Sequence, residues 1–220
     1  SSDVCSSDLR NRFLQLRLAR EDGERALLAL QVALNVGLLR LANRDELVPT
    51  LLSCSPEEQL QAARVWVREQ CPPSRSPLWQ GERYRHERLR VAYLSADFHA
   101  HATAYLIAGM LEHHDRSRFE TIGVSFGPDD KSDTRARVKS VFGQFLDVHD
   151  KSDAEIATML RRMEIDIAVD LKGFTQDARP GIFALRPAPL QVNYLGYPGT
   201  LGGDYIDYIV ARSEEHTSEL

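Results

Sequence analysis

From residue 10 to about residue 70, apolar positions recur at three- and four-residue steps, with Leu27, Leu30, Leu34, Leu38 and Leu41 falling on one helical face. This spacing predicts helices packed on one another, as at the end of a helical repeat array. Ser55-Pro56-Glu57-Glu58 opens a further helix. There the serine can accept from the Glu58 amide, proline takes the first helical position, and Glu58 reaches back to the cap. This helix should turn Leu60, Ala63, Val65 and Trp66 inward or toward a neighbour.

Cys71-Pro72-Pro73-Ser74-Arg75-Ser76-Pro77 cannot continue a helix, and residues 71–87 read as a linker. Beyond it the period changes. Leu89–Ser95, Phe119–Phe126, Phe145–Val148, Ile165–Asp170, Leu190–Tyr194 and Ile206–Val210 read as strands. Helices are expected at Thr103–Glu112 and Thr134–Phe142, and from the capping box Ser152-Asp153-Ala154-Glu155 to about Arg162. Strands alternating with helices of about ten residues imply right-handed crossovers and a mostly parallel sheet. The predicted class is α/β, a Rossmann-like domain over residues 88–211 preceded by an α-helical segment over residues 10–70.

The two ends stand apart from this pattern. Residues 1–9 and 212–220 can be written as one DNA segment and its reverse complement, so both are expected to be translated sequencing adapter and to lie outside the fold. Setting them aside removes Asp3, Asp8, Glu214, Glu215 and Glu219 against Arg212, which takes the formal charge from −5 to −1. A balance so near neutral predicts neither a nucleic-acid nor a membrane partner. Cys54 and Cys71 remain, without Cys-x-x-Cys spacing or a disulfide framework, so a reducing, cytoplasmic setting is expected. The longest apolar stretch, Ala26–Leu39, is interrupted by Gln31, Asn35 and Gly37 and is too short to span a bilayer.

Chemistry concentrates at the strand ends. Ser95-Ala96-Asp97-Phe98-His99-Ala100-His101-Ala102-Thr103 follows the first strand, where doubly wound sheets hold their ligands. An imidazole there, with a carboxylate four residues earlier, can take a proton from a hydroxyl near neutral pH while the carboxylate orients the ring. Taken singly, the histidine also fits a solvated loop and Asp97 a helix cap. His99 and His101 form a His-x-His pair without a third ligand at metal-binding spacing, so no metal is expected. His113-His114 near a helix end reads as structural, its positive charge suiting the dipole. Arg83, Arg85, His86, Arg88 and Arg90 are interleaved with Glu82 and Glu87 and read as a solvated lead-in to the first strand. No Gly-x-Gly-x-x-Gly follows that strand, which argues against a dinucleotide site.

Several well-separated motifs point further. They are Leu89-Arg90-Val91-Ala92-Tyr93-Leu94-Ser95-Ala96-Asp97-Phe98 with His101 and Thr103, Phe126-Gly127-Pro128-Asp129-Asp130, and Asp170-Leu171-Lys172-Gly173-Phe174-Thr175. Phe183-Ala184-Leu185-Arg186-Pro187-Ala188-Pro189 and Leu195-Gly196-Tyr197-Pro198-Gly199-Thr200 complete the series. In this order, over residues 88–211, they resemble the catalytic region of the protein O-GlcNAc transferase family, most of all the bacterial branch in which a tetratricopeptide array comes first. The resemblance implies the first lobe of a two-lobe GT-B glycosyltransferase, behind a tetratricopeptide-like segment. Such an enzyme moves N-acetylglucosamine from UDP-GlcNAc to Ser or Thr hydroxyls of protein acceptors with inversion and without a metal or other cofactor. It also implies that His101 is the active-site histidine and Asp97 its acidic neighbour, and that Thr103, Leu195, Gly196 and Pro198 line the sugar and acceptor cleft.

Two local departures from the animal members stand out. Ala100 replaces an Asn immediately before the histidine, and Leu47-Val48-Pro49-Thr50 replaces a His-rich run. The second lobe of the same polypeptide, where the family keeps most of its uridine and diphosphate contacts, is expected as a partner beyond these residues. Residues 10–211 alone are expected to be inactive. A related plant branch that uses GDP-fucose, and a repeat scaffold without chemistry, stand as alternatives. The catalytic expectation requires the His101 imidazole to face the Gly196–Pro198 turn across one crevice.

Overall fold

The computed structural model describes residues 56–197 and 199–210. Two compact units divide the chain, and the larger takes in Pro73–Gly173, Asp177–Pro198 and the chain from Asp204 onward. It is built on β1 (Leu89–Ser95), α2 (Ala102–Glu112), β2 (Phe119–Ser125), α3 (Asp133–Val141), β3 (Gln144–Asp147) and α4 (Asp153–Arg162). Next come β4 (Ile167–Asp170), α5 (Pro180–Ala184), β5 (Leu190–Tyr194) and β6 (Tyr208–Val210), while α1 (Pro56–Gln70) precedes them all. The six strands form one sheet in the order β3-β2-β1-β4-β5-β6, and every neighbouring pair is parallel.

The central strands β1 and β4 are covered on both faces, which is why they carry the apolar runs Val91–Leu94 and Ile167–Val169. Val91 and Tyr93 of β1 join Ala104, Ile107, Ala108 and Leu111 of α2 and Val138 and Val141 of α3 in one buried cluster. Ala92 and Leu94, which point the opposite way, are fully buried too. Right-handed crossovers place α2 and α3 on one face and α4 and α5 on the other. The capping box of α4 is present: Ser152 Oγ accepts from the Glu155 amide at 3.3 Å, and Glu155 accepts from the Ser152 amide at 2.8 Å.

The elements lie within one residue of where the hydrophobic periods put them, with three larger differences. β4 begins at Ile167, not Ile165, because the Ile165 amide still donates to Leu160 and Glu164 takes a φ of 52° to close α4. β6 begins at Tyr208 because Asp207 faces Gln191 instead, its amide donating to the Gln191 carbonyl and its carboxylate accepting from the Gln191 amide at 2.8 Å. The third is α5, five residues long with a proline in its first turn and no side-chain cap, too short to impose a helical period.

Residues 73–87, expected as a linker, carry no strand or helix but are strapped to the sheet unit. Ser74, Leu78 and Trp79 donate backbone amides to the carbonyls of Ala184, Leu185 and Arg186. Arg161 bonds the Leu78 carbonyl, the Tyr84 hydroxyl and Glu82. His86 lies between Asp166 at 2.9 Å and Glu164 at 3.0 Å, so the basic lead-in is held by carboxylates.

Among the described residues, the smaller unit comprises α1 with residues 71–72, 174–176 and 199–203. Ala63 and Val67 of α1 are buried, Trp66 is half-buried, and the Trp66 and Phe174 rings lie 4.4 Å apart. The expected Ser55 cap and the helical face from Leu27 to Leu41 fall outside the described residues.

Candidate active site

The strand order reverses between β1 and β4, whose crossovers run in opposite directions, and this leaves a crevice beyond their carboxyl ends. Asp97, His101 and Thr103, singled out from the sequence, gather there. After β1 the buried Ser95 hydroxyl accepts from the Asp97 amide at 2.9 Å and turns the chain. Asp97 is itself buried. Its carboxylate receives Lys172 Nζ, carried in from the end of β4, at 2.8 and 2.7 Å on its two oxygens, and Thr103 Oγ1 donates at 3.5 Å.

His101 is the N-cap of α2: its Nδ1 accepts from the Thr103 amide at 3.2 Å and lies 3.6 Å from Asp97 Oδ2. With 43% of its side chain exposed, the ring is open to a ligand from the solvent side, whereas Asp97 behind it is not. The loop between β1 and α2 is fixed from β2's side as well. Asp130 accepts from the Ala100 amide at 2.9 Å and from the Ser132 amide at 3.0 Å. The bonds from Ala100 and Ser132 hold the Asp130 carboxyl down to about 2. Arg135, almost fully buried, donates to the Phe98 carbonyl at 3.0 Å and to Ser125 Oγ at 3.1 Å, and pairs with Asp147 and Asp129.

Beyond β4 the Asp170 carboxylate accepts from the amides of Lys172 and Gly173 at 2.9 and 3.1 Å, an Asx turn that aims Lys172 at Asp97. Burial pushes the Asp170 carboxyl up, while those two amides pull the other way. Beyond β5, Leu195 takes a φ of 72° and the Gly196 amide donates back to the Tyr194 carbonyl at 3.0 Å. A three-residue turn with positive φ at a branched aliphatic residue is rare and strained. Gly196 packs so closely on the end of β4 that an added Cβ would fall onto the Leu171 carbonyl oxygen and lie 3.2 Å from the Lys172 Cα. Glycine is required there for closeness of approach.

Of the six site positions expected from sequence, Asp97, His101 and Thr103 are in mutual contact. Leu195 and Gly196 join them through Lys172, which touches Asp97 and backs Gly196. Pro198 lies outside the described residues. Three residues that hold the arrangement together were not assigned from sequence. Lys172 and Asp130 stood within the quoted motifs, where only an ion-pair partner in space gives them a role; Arg135 carried no signal at all. His99 lies 5.6 Å ring to ring from His101, and among the described residues no group of three potential ligands gathers around them.

His114, read from sequence as a charge suited to the helix dipole, is a different case. Burial pushes its ring down from the ordinary histidine value, and its Nε2 lies 2.6 Å from the Tyr93 hydroxyl. Burial therefore works against a positive charge on this ring. No helix among the described residues is long and apolar enough to cross a membrane.

Comparison with known proteins assigns this geometry to a family. A family model described as glycosyl transferase family 41 matches residues 75–220. The chain belongs to that family. It is 39% identical over 134 residues to a probable UDP-N-acetylglucosamine–peptide N-acetylglucosaminyltransferase, SEC, of Arabidopsis thaliana, covering 61% of this chain and 14% of the relative. It is 35% identical over 140 residues to the UDP-N-acetylglucosamine–peptide N-acetylglucosaminyltransferase of Caenorhabditis elegans, covering 62% of this chain and 12% of that one. Among solved structures, a mutant of the Thermobaculum terrenum O-GlcNAc transferase superposes with a TM-score of 0.65 at 28% identity, covering 94% of this chain and 38% of that chain. This family 41 chain thus spans about a seventh of the first two relatives' length and under half of the solved enzyme.

Proposed function

We propose that this chain is the first catalytic lobe of a protein O-GlcNAc transferase, and that the whole polypeptide moves N-acetylglucosamine from UDP-GlcNAc to Ser or Thr hydroxyls of protein acceptors. The observation that carries this reading is the exposed His101 imidazole backed by buried Asp97 at the switch point of the 3-2-1-4-5-6 sheet. In an inverting transfer the acceptor oxygen bonds to the sugar C1 on the face opposite the diphosphate. The C1–O bond to UDP breaks, and the acceptor's proton must leave.

His101 is the exposed titratable side chain beside the crevice on the β1 side. With the Thr103 amide donating to Nδ1, the neutral ring carries its proton on Nε2. Closing the 3.6 Å gap to Asp97 favours the other neutral tautomer: the ring's one proton passes through solvent from Nε2 to Nδ1, which frees the Nε2 lone pair for the acceptor hydroxyl. Catalytic hydrogen bonds are often long before substrate arrives. Leu195 and Gly196 then supply backbone at the cleft wall, the glycine letting that turn press onto the end of β4. The reaction needs no metal in this account, and turnover belongs to the full polypeptide, since the chain spans 38% of the solved relative.

The test is a radiolabelled transfer assay on the full-length protein with UDP-GlcNAc and a Ser-containing acceptor. Wild type is expected to label the acceptor, and His101→Ala to lose on the order of 100-fold or more in kcat, the range for a removed acid–base group. A substituted enzyme as fast as wild type would remove His101 from the reaction. Transfer from GDP-fucose instead would correct the donor.

A further inference from the structure

The Lys172–Asp97 pair joins the two strands that flank the switch point, and its geometry is more specific than stability requires. Both side chains are buried, at 5% and 9% exposure, and the ammonium touches both carboxylate oxygens. A buried pair of this kind gives little net stability, because desolvation offsets the attraction. What it provides is orientation. The oxygen nearer the ammonium, Oδ2, is the one that faces His101 Nδ1 and takes the Thr103 hydroxyl. Lys172 is itself held at its amide by Asp170, and its Cα lies where Gly196 presses onto the end of β4. One residue therefore sets the carboxylate behind the imidazole and supports the Leu195–Gly196 turn across from it.

We propose that Lys172 is a positioning residue for the transfer step, holding Asp97 Oδ2 behind the His101 ring, 3.6 Å from Nδ1, from where the gap can close. The inference rests on the catalytic reading of His101 and goes beyond it. If the carboxylate swings away, nothing draws the ring's proton to Nδ1, and the ring stays in the helix-capping state seen here, with Nε2–H, the wrong tautomer to accept a proton. Loss of Lys172 should therefore slow turnover without weakening donor binding.

The test is a double-mutant cycle in the full-length enzyme, measuring kcat and KM for UDP-GlcNAc in wild type, Lys172→Met, Asp97→Asn and the pair together. Lys172→Met is expected to lower kcat about 10- to 100-fold, the scale of an ångström-level misplacement, with KM changed less than about threefold. In the Asp97→Asn background the same change should cost nothing further, since Lys172 acts through Asp97. If Lys172→Met does not fold, the double variant, which carries neither buried charge, is compared with Asp97→Asn and should match its kcat. An equal fold-loss in both backgrounds, or a Lys172→Met kcat within threefold of wild type, overturns the proposal. His101→Ala run in parallel separates the failures. A fast His101→Ala removes the catalytic reading itself, whereas a slow His101→Ala beside a fast Lys172→Met removes only the role of Lys172.

Discussion

Arg135→Met tests whether the loop bearing His101 is held by one buried guanidinium. Arg135 is 5% exposed, and its partners fall into two groups. The Phe98 carbonyl and Ser125 hydroxyl belong to fully buried residues and have no route to water once the donor is gone. Each such orphaned group costs about 1–3 kcal/mol. Asp147 and Asp129 have side chains 41% and 56% exposed, so they rehydrate, and their pairs count for at most about 1 kcal/mol together. Methionine fills the aliphatic space over the Phe145 ring, where the guanidinium now sits 5.3 Å from the centroid. The net loss is therefore about 2–6 kcal/mol. With a urea m-value of about 2 kcal/mol/M, the unfolding midpoint should fall by about 1–3 M with the slope unchanged. Arg135→Lys, which keeps one donor, should fall between the two. A midpoint within about 0.3 M of wild type for Arg135→Met would show that the guanidinium does not hold this loop.

Gly196→Ala should destabilise by about 1–3 kcal/mol, because its Cβ meets the Leu171 backbone carbonyl instead of a movable side chain. An unchanged thermal midpoint would show that β5 and β4 are not in such close contact. The two structurally held histidines should titrate on opposite sides of the ordinary value. Burial lowers His114, so the unfolded chain binds its proton first and stability drops as pH falls below about 6.5. His86 is raised by its hydrogen bond to Asp166, so its contribution is present below about 6.5 and lost as pH rises through its folded value. Histidine ring resonances followed against pH check both, and His86 titrating below His114 would refute the assignment.

The elements of this fold were readable from short-range chemistry. Ser152 and Glu155 sit three residues apart, as a capping box demands, and Val91–Leu94 is an apolar run because β1 is buried on both faces. Asp97, His101 and Thr103 were readable as well, since six residues and the start of one helix bring them together. Their link to Leu195 and Gly196 was of another kind. Lys172 lies 75 positions from Asp97 and Arg135 lies 37 from Phe98. No local period encodes such separations; the order of strands does, by setting β1 beside β4 and β4 beside β5. Local propensity names the elements and motif spacing names the chemistry, but an ion pair or a glycine pressed on a carbonyl exists only once distant strand ends share one edge of a sheet.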